Sequence, residues 1–254
     1  MHLPEKDNVT KVSVVIPTLN EAHSIGATLD AISQLSRRVE VIVVDGGSDD
    51  DTREIARAHG AKVIASERGR GAQLHAGACA SRGEALWFLH ADTRPSPDTV
   101  ERIMEALGDA EVAAGNLRVR FDGPRLAARF LTWLYPRLRW LGLYYGDSAI
   151  FVRREAYERV GGFKPFPIFE DLDLMERLRD QGRVVHLPVV VVTSSRRFEG
   201  RNFPLTFTRW AVLQLLYWLG AEPTALARLY APIRRSQRQL VTPGREERQK
   251  PGTD

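Results

Sequence analysis

The 254-residue sequence predicts an α/β protein with a mostly parallel central sheet, helices on both of its faces and further helices at the C-terminal end. Three observations carry this expectation. Short apolar, β-branched runs alternate with segments of helical spacing through the first half of the chain. The runs are predominantly apolar, as strands covered on both faces require. Unusual polar groups stand directly after three of them, where ligands bind in open parallel sheets.

The strands are expected at residues 12–16, 39–44, 63–65 and 85–89, and the helices between and after them at 22–35, 51–59, 72–81 and 97–107. The polar groups are PTLNEA, DGGSDDD and HADTR, closing the first, second and fourth strands. Asn20 is placed to cap the first helix, and Ser48 or Asp49 the second. Residues 113–121 read as a further strand, 126–143 as an apolar, Arg-studded helix, and 144–163, YYGDSAIFVRREAYERVGGF, as loop. The segment FEDLDLMERLRDQG opens a helix with Glu170, Asp171 and Asp173 crowded into its first turn, where the helix dipole favours acids in any case. VVHLPVVVVTSS reads as two short strands parted at Pro188, and 203–219 and 224–233 as helices rich in Trp, Tyr, Leu and Arg. Residues 1–241 are thus expected to form one domain with a helical appendage at about 203–237, followed by a disordered tail at 242–254.

Composition narrows the setting. Lys and Arg number 36 against 32 Asp and Glu, a net charge of +4, and this mild excess suits phosphates or a membrane surface as well as it suits a solvated basic face. No nucleic-acid partner is expected. The single cysteine, Cys79, forms no internal disulfide and no multi-cysteine zinc site, which points to a reducing, cytoplasmic setting. The N-terminal MHLPEKDNVTK holds no apolar stretch, so neither a secretory signal nor an N-terminal anchor is expected. The nearly uncharged piece at 210–221 is too short to span a bilayer but long enough to lie on one, or to cover a core or a homo-oligomer interface. Neither GxxxxGK[ST] nor GxGxxG occurs, which removes support for Walker-type phosphoryl transfer and dinucleotide redox chemistry.

Taken in order, PTLNEA, VVDGGSDDDT, RGRGAQLHAG, FLHADT, GDSAIFVRREAYERVGGF and EDLDLMERL resemble the family 2 glycosyltransferases, inverting enzymes of the GT-A fold that use nucleotide-sugar donors. The resemblance runs over about residues 12–192, and the HADT form of the fourth motif resembles a small bacterial subgroup. It implies a donor site built from Pro17, Thr18, Asn20 and Glu21 after the first strand, and Asp45, Gly46 and Ser48 after the second. A carboxylate accepts from a pyrimidine ring N–H, so Asp45 suits uracil and the donor is expected to be a UDP-sugar. Arg68, Arg70 and Gly71, ahead of a helix, suit the anionic part of the nucleotide.

In the resembled family the fourth strand ends in Asp-x-Asp, whose last Asp binds the divalent metal. Here the triplet is His90, Ala91, Asp92: Asp92 keeps the metal-ligand position, and His90 replaces a carboxylate that contacts ribose or a metal-bound water. Mg²⁺ held by one carboxylate and two phosphate oxygens is a sufficient site, and Mn²⁺ tolerates an imidazole better. Asp171 matches the family's catalytic base, which inversion requires opposite the leaving group. Glu170 and Asp173 either raise its pKa by like-charge repulsion or simply occupy a helix start. Asp147, Glu170, Arg196 and Arg197 are expected on the acceptor side, the last two as a lid over the diphosphate, while His75 and His186 are expected to be structural. The processive members' Gln-x-x-Arg-Trp is only partly present: Arg209 and Trp210 stand with Thr206 in place of Gln, favouring transfer of a single sugar. The acceptor stays open, with a lipid-linked one suggested by the apolar, Arg-studded second half. A sugar nucleotidyltransferase is the competing enzyme, although PTLNEA lacks a Gly-rich triphosphate run; a non-catalytic nucleotide-sugar binder or membrane-surface scaffold is the competing non-enzyme.

Overall fold

The computed structural model describes residues 11–122, 130, 132–133, 149–195 and 203–230. The first half alternates as expected: β1 (Val12–Thr18), α1 (Ile25–Ser33), β2 (Glu40–Asp45), α2 (Thr52–Ala58), β3 (Lys62–Ala65), α3 (Arg70–Cys79), β4 (Ala85–Phe88), β5 (Thr93–Pro95), α4 (Thr99–Leu107) and β6 (Val112–Phe121). After residue 148 come β7 (Phe151–Arg153), α5 (Arg154–Arg159), α6 (Glu170–Arg179), β8 (Arg183–Thr193), α7 (Phe203–Trp218) and α8 (Pro223–Tyr230).

The eight strands form one sheet in the order β3-β2-β1-β4-β7-β6-β8-β5. Four of the seven pairings are parallel and three, those of β7 with β4 and β6 and of β5 with β8, are antiparallel. Strand alternation divides the core in two. Val12, Val14, Ile16, Val43, Trp87 and Leu89 point to one face and are covered by α1 and α4, whose Ile25, Leu29, Ile32, Val100 and Ile103 are buried there. Val15, Ile42, Val44, Leu86 and Phe88 point to the other face and meet Leu74 and Ala78 of α3 and Leu172, Leu174, Met175 and Leu178 of α6.

Three expectations are corrected. The segment 144–163 is not simply loop: from Phe151 it holds a central strand and a short helix, hidden from sequence patterning because β7 has only three residues. HADTR is not only a strand end, since the three-residue β5 begins within it at Thr93 and pairs with β8, Thr93 opposite Thr193. The run around Pro188 is one strand rather than two. Its partner register jumps from Leu117↔Leu187 to Arg118↔Val190, so Pro188, which has no N–H to give the ladder, is passed over in a bulge. The expected helix at 126–143, the domain limits near 203–237 beyond residue 230 and the tail at 242–254 lie outside the described residues.

Candidate functional site

Parallel register brings the polar turns to one sheet edge. Thr18 pairs with Asp45 and Asp45 with Ala65, while β4, bonded to β1 on its other side, stops at Phe88 opposite Val15. Asp45 is almost completely buried. Its carboxylate accepts from Ser48 Oγ at 2.5 Å, Ser48 N at 3.0 Å, Gly47 N at 3.1 Å and Thr18 Oγ1 at 3.3 Å. Burial pushes this carboxyl up, but the bonds from Ser48 and Gly47 and the Arg53 guanidinium 3.9 Å away outweigh it and hold Asp45 below the usual carboxylate range.

The loops after β1 and β2 are bonded to one another. Asn20 N donates to Ser48 Oγ at 2.9 Å, Asp49 N to Asn20 Oδ1 at 2.8 Å, Glu21 N to Thr52 Oγ1 at 2.8 Å and Ala22 N to Asp50 Oδ2 at 3.1 Å. Asn20 takes a left-handed φ of 56° to do so. This overturns the capping expectation: the N-cap positions are Ser24 and Asp51, neither with a side-chain cap bond, and Asn20 and Ser48 fasten loop to loop. Beneath them Gln73 Nε2, which sequence reasoning missed, donates to Thr18 O at 2.9 Å and Val44 O at 2.8 Å. Nothing in RGAQLHAG sets a buried Gln apart from a solvated one. Gly46 is needed here because a Cβ would stand 3.0 Å from the Gln73 amide.

His90, Ala91 and Asp92 form the turn between β4 and β5. Thr28 Oγ1 of α1 donates to Ala91 O at 2.8 Å, fixing the turn from below. Asp92 is partly exposed, and its Oδ1 takes a 3.4 Å bond from Thr193 Oγ1. Its carboxylate therefore keeps acceptor capacity for a hard cation. Among the described residues no three His, Cys, Asp or Glu side chains are grouped to cage a metal. The donor set thus fits an ion held by one carboxylate and completed by ligand oxygens, the coordination Mg²⁺ and Mn²⁺ accept.

Opposite this turn lies the acidic start of α6. Phe169, at a left-handed φ of 63°, swings the chain so that Glu170, Asp171 and Asp173 are all buried. Glu170 and Asp171 share one cationic neighbour, and Asp173 has two others. Arg70 Nε donates to Glu170 Oε1, and Arg70 Nη2 lies 3.4 Å from Asp171 Oδ2. Asp173 takes Lys164 Nζ at 2.8 Å and Arg177 Nε at 2.9 Å, and Arg177 also donates to Gly162 O at 2.8 Å. Asp173 therefore ties the loop before α6 to the helix. Arg70 Nη1 reaches His90 Nε2 at 3.5 Å, joining the two banks of the cleft. Arg70 and Gly71 do not precede α3, as expected, but form its first turn. A Cβ on Gly71 would meet Lys164 O at 2.5 Å, so glycine is what lets this turn press against the acidic bank.

The remaining candidates divide. Arg68 is exposed ahead of α3, and Pro17 and Glu21 are half-buried beside the loops. Asp147, Arg196 and Arg197 lie outside the described residues. His75 contacts Tyr157 Oη at 3.0 Å and His186 contacts Asn116 Oδ1 at 2.7 Å, within the protein's own packing. Arg209 donates to Leu229 O, linking α7 to α8, and Trp210 packs against the first core layer.

The family model for glycosyl transferase family 2 matches residues 13–166, which span the turns just described. A mannosyltransferase structure from Pyrobaculum calidifontis, solved with GDP-Man and Mn²⁺, is 25% identical, covers 86% of this chain and 64% of that one, and superposes with a TM-score of 0.65. The glucosyl-3-phosphoglycerate synthase of Mycobacterium tuberculosis, 24% identical with a TM-score of 0.56 over 85% of each chain, shares the fold. An undecaprenyl-phosphate 4-deoxy-4-formamido-L-arabinose transferase of Aeromonas hydrophila is 32% identical over 123 residues, 44% of this chain and 38% of that protein. The chain spans about half or less of the length of the curated relatives it matches. The sheet and its covering helices are the GT-A arrangement that the motifs led us to expect, and the chain belongs to glycosyl transferase family 2.

Proposed function

We propose that the protein is an inverting glycosyltransferase that moves a sugar from a nucleoside-diphosphate donor, a UDP-sugar, to an acceptor hydroxyl, with Asp171 as the base. The observation that carries this is the pairing of two banks across one cleft: the His90-Ala91-Asp92 turn on one side, the buried acids of α6 on the other, and Arg70 in contact with both. Thr18, Glu21 and Asp45 border the base pocket, with Asp45 also ordering the loop that forms it. The mutually bonded backbone at Asn20 and Ser48 gives a pre-ordered surface for the nucleoside. Asp92 would hold a divalent cation, whose part is to neutralise charge on the departing diphosphate. Exposed Arg68 stands ready for the same anion.

Asp171 is the carboxylate suited to receive the acceptor's proton, since Asp173 is committed to Lys164 and Arg177. The acceptor attacks the anomeric carbon from the face opposite the diphosphate, its proton passing to Asp171, and no sugar-enzyme bond forms. Analysis of the nucleotide product tests the reading. A nucleoside diphosphate released from a panel of sugar nucleotides, with Mn²⁺ present, supports transfer, whereas pyrophosphate released from a nucleoside triphosphate and a sugar 1-phosphate would mean a nucleotidyltransferase.

A lipid-linked acceptor is the class we favour. It is supported by the likeness to an undecaprenyl-phosphate transferase and by exposed Leu205, Val212, Leu215 and Trp218 along α7. No helix among the described residues is long and apolar enough to cross a membrane, so any membrane contact through them is at the surface. Flotation with anionic liposomes at low salt checks this, and protein that stays with the aqueous fraction counts against it.

A further inference from the structure

We infer that Arg70 is a positioning residue, fixing the HADT turn against the start of α6 and thereby setting Asp171 in register with the donor. The inference rests on the reading of Asp171 as base. Each nitrogen of the guanidinium faces a different group: Nε bonds Glu170, Nη2 lies against Asp171 and Nη1 against His90. These partners are 100, 101 and 20 residues away in sequence, so the fork exists only once α3 and α6 have packed on one face of the sheet. The Glu170 side chain is 2% exposed and that of Asp171 8%, against 33% for Arg70. An Arg70 that turned away to a phosphate would leave Glu170 as a buried carboxylate without this cation, a costly state. Arg68, exposed two residues earlier, bears no such obligation.

The backbone supports the same assignment. Arg70 stands in the first turn of α3, and Gly71 presses that turn against Lys164 O, so the side chain is delivered from a fixed platform. The identity of residue 90 also becomes intelligible. A guanidinium only donates, so in this contact His90 Nε2 is the acceptor. A carboxylate at position 90 would bring a third acid to Arg70, which already meets Glu170 and Asp171. An imidazole keeps the contact without adding charge.

The test uses the full chain with UDP and Mn²⁺ as the binding probe, and UDP release from the sugar nucleotide that wild type turns over fastest as the kinetic one. Arg70→Lys keeps the charge but loses the fork. We expect it to bind UDP with wild-type affinity and donor KM while kcat falls about 10²-fold, the scale of an ångström-level misplacement. Arg70→Gln/Glu170→Gln removes the Arg70–Glu170 charges together, so it should melt above Arg70→Gln alone and still show the kcat loss. Arg70→Gln/Asp171→Asn should be no slower than Asp171→Asn alone, because residues acting as one unit are not additive. Loss of UDP affinity in Arg70→Lys, with kcat kept, would overturn the inference and make Arg70 a donor ligand; so would wild-type kcat in the charge-free pair. Full turnover in Asp171→Asn would instead remove the base, leaving the KM and kcat of Arg70→Lys to be judged on their own.

Discussion

The two banks of the cleft are held by different physics. On the HADT side, the loops after β1 and β2, which we propose to hold the nucleotide, form a bank fastened by hydrogen bonds among backbone amides, hydroxyls and two carboxylates: Asn20 to Ser48, Asp49 to Asn20, Ala22 to Asp50 and Ser48 to Asp45. The acidic bank is fastened by ion pairs, of which Arg70 to Glu170 and Asp171 reach across the fold while Lys164 and Arg177 hold Asp173 locally. A hydrogen-bonded loop pair offers a rigid surface whose parts are replaceable by other polar groups. A set of buried charges offers none of that tolerance, because removing one partner leaves another uncompensated. Binding and chemistry should therefore fail separately when each bank is disturbed.

The largest effect expected from that contrast is at Asp171. Asp171→Asn should lower turnover by about 10³-fold, within the range a general base contributes, while UDP affinity stays at the wild-type level. Steady-state kinetics beside calorimetry reads both, and parallel losses would erase the division between the banks. Asp173, two residues on, sharpens it. Asp173→Asn breaks the ties to Lys164 and Arg177 and should cost about 2 kcal/mol of stability, with kcat of the folded fraction little changed. Denaturant unfolding paired with active-site titration separates the two quantities. Gly71→Ala drives a Cβ against Lys164 O and should cost about 1–2 kcal/mol through the shift it forces, which a thermal melt will register.

The smallest expected effect concerns pH and the first bank. Asp45 and Asp50 are both held below the usual carboxylate range, in each case because hydrogen bonds from the loop outweigh the upward push of burial. A carboxyl lowered in the folded state stabilises the fold fully above its unfolded value, near about 4, and that contribution is lost as pH falls through the lowered one. Unfolding free energies measured from pH 7 down to pH 3 should therefore decline less steeply in Asp45→Asn than in wild type. An unchanged slope would mean that the loop bonds do not select the charged form.

Much of the first bank was legible in the sequence because its parts sit at strand ends of a parallel sheet. Residues 12–16, 39–44 and 85–89 are apolar runs, and a parallel sheet must bring their polar sequels to one edge. What went unseen there were details of partner choice, such as Asn20 and Ser48 bonding each other rather than capping helices, and Gln73 under the loops. The second bank was legible only by residue type. Nothing in EDLDLMERL tells which acid meets Arg70, since that choice depends on α3 packing against α6. The short antiparallel strands Thr93–Pro95 and Phe151–Arg153 have too few residues to show alternation, and the turn carrying Asp92 depends on the first of them.

We propose that Asp92 and the loops after β1 and β2 form one metal-dependent nucleotide site. Calorimetric titration of UDP, with GDP as comparison, into wild type and Asp92→Ala, each with and without Mn²⁺, tests it most directly. UDP should bind wild type only when Mn²⁺ is present, and that binding should be lost in Asp92→Ala. Equal binding by the folded variant, or binding of neither nucleotide by folded wild type, would contradict it.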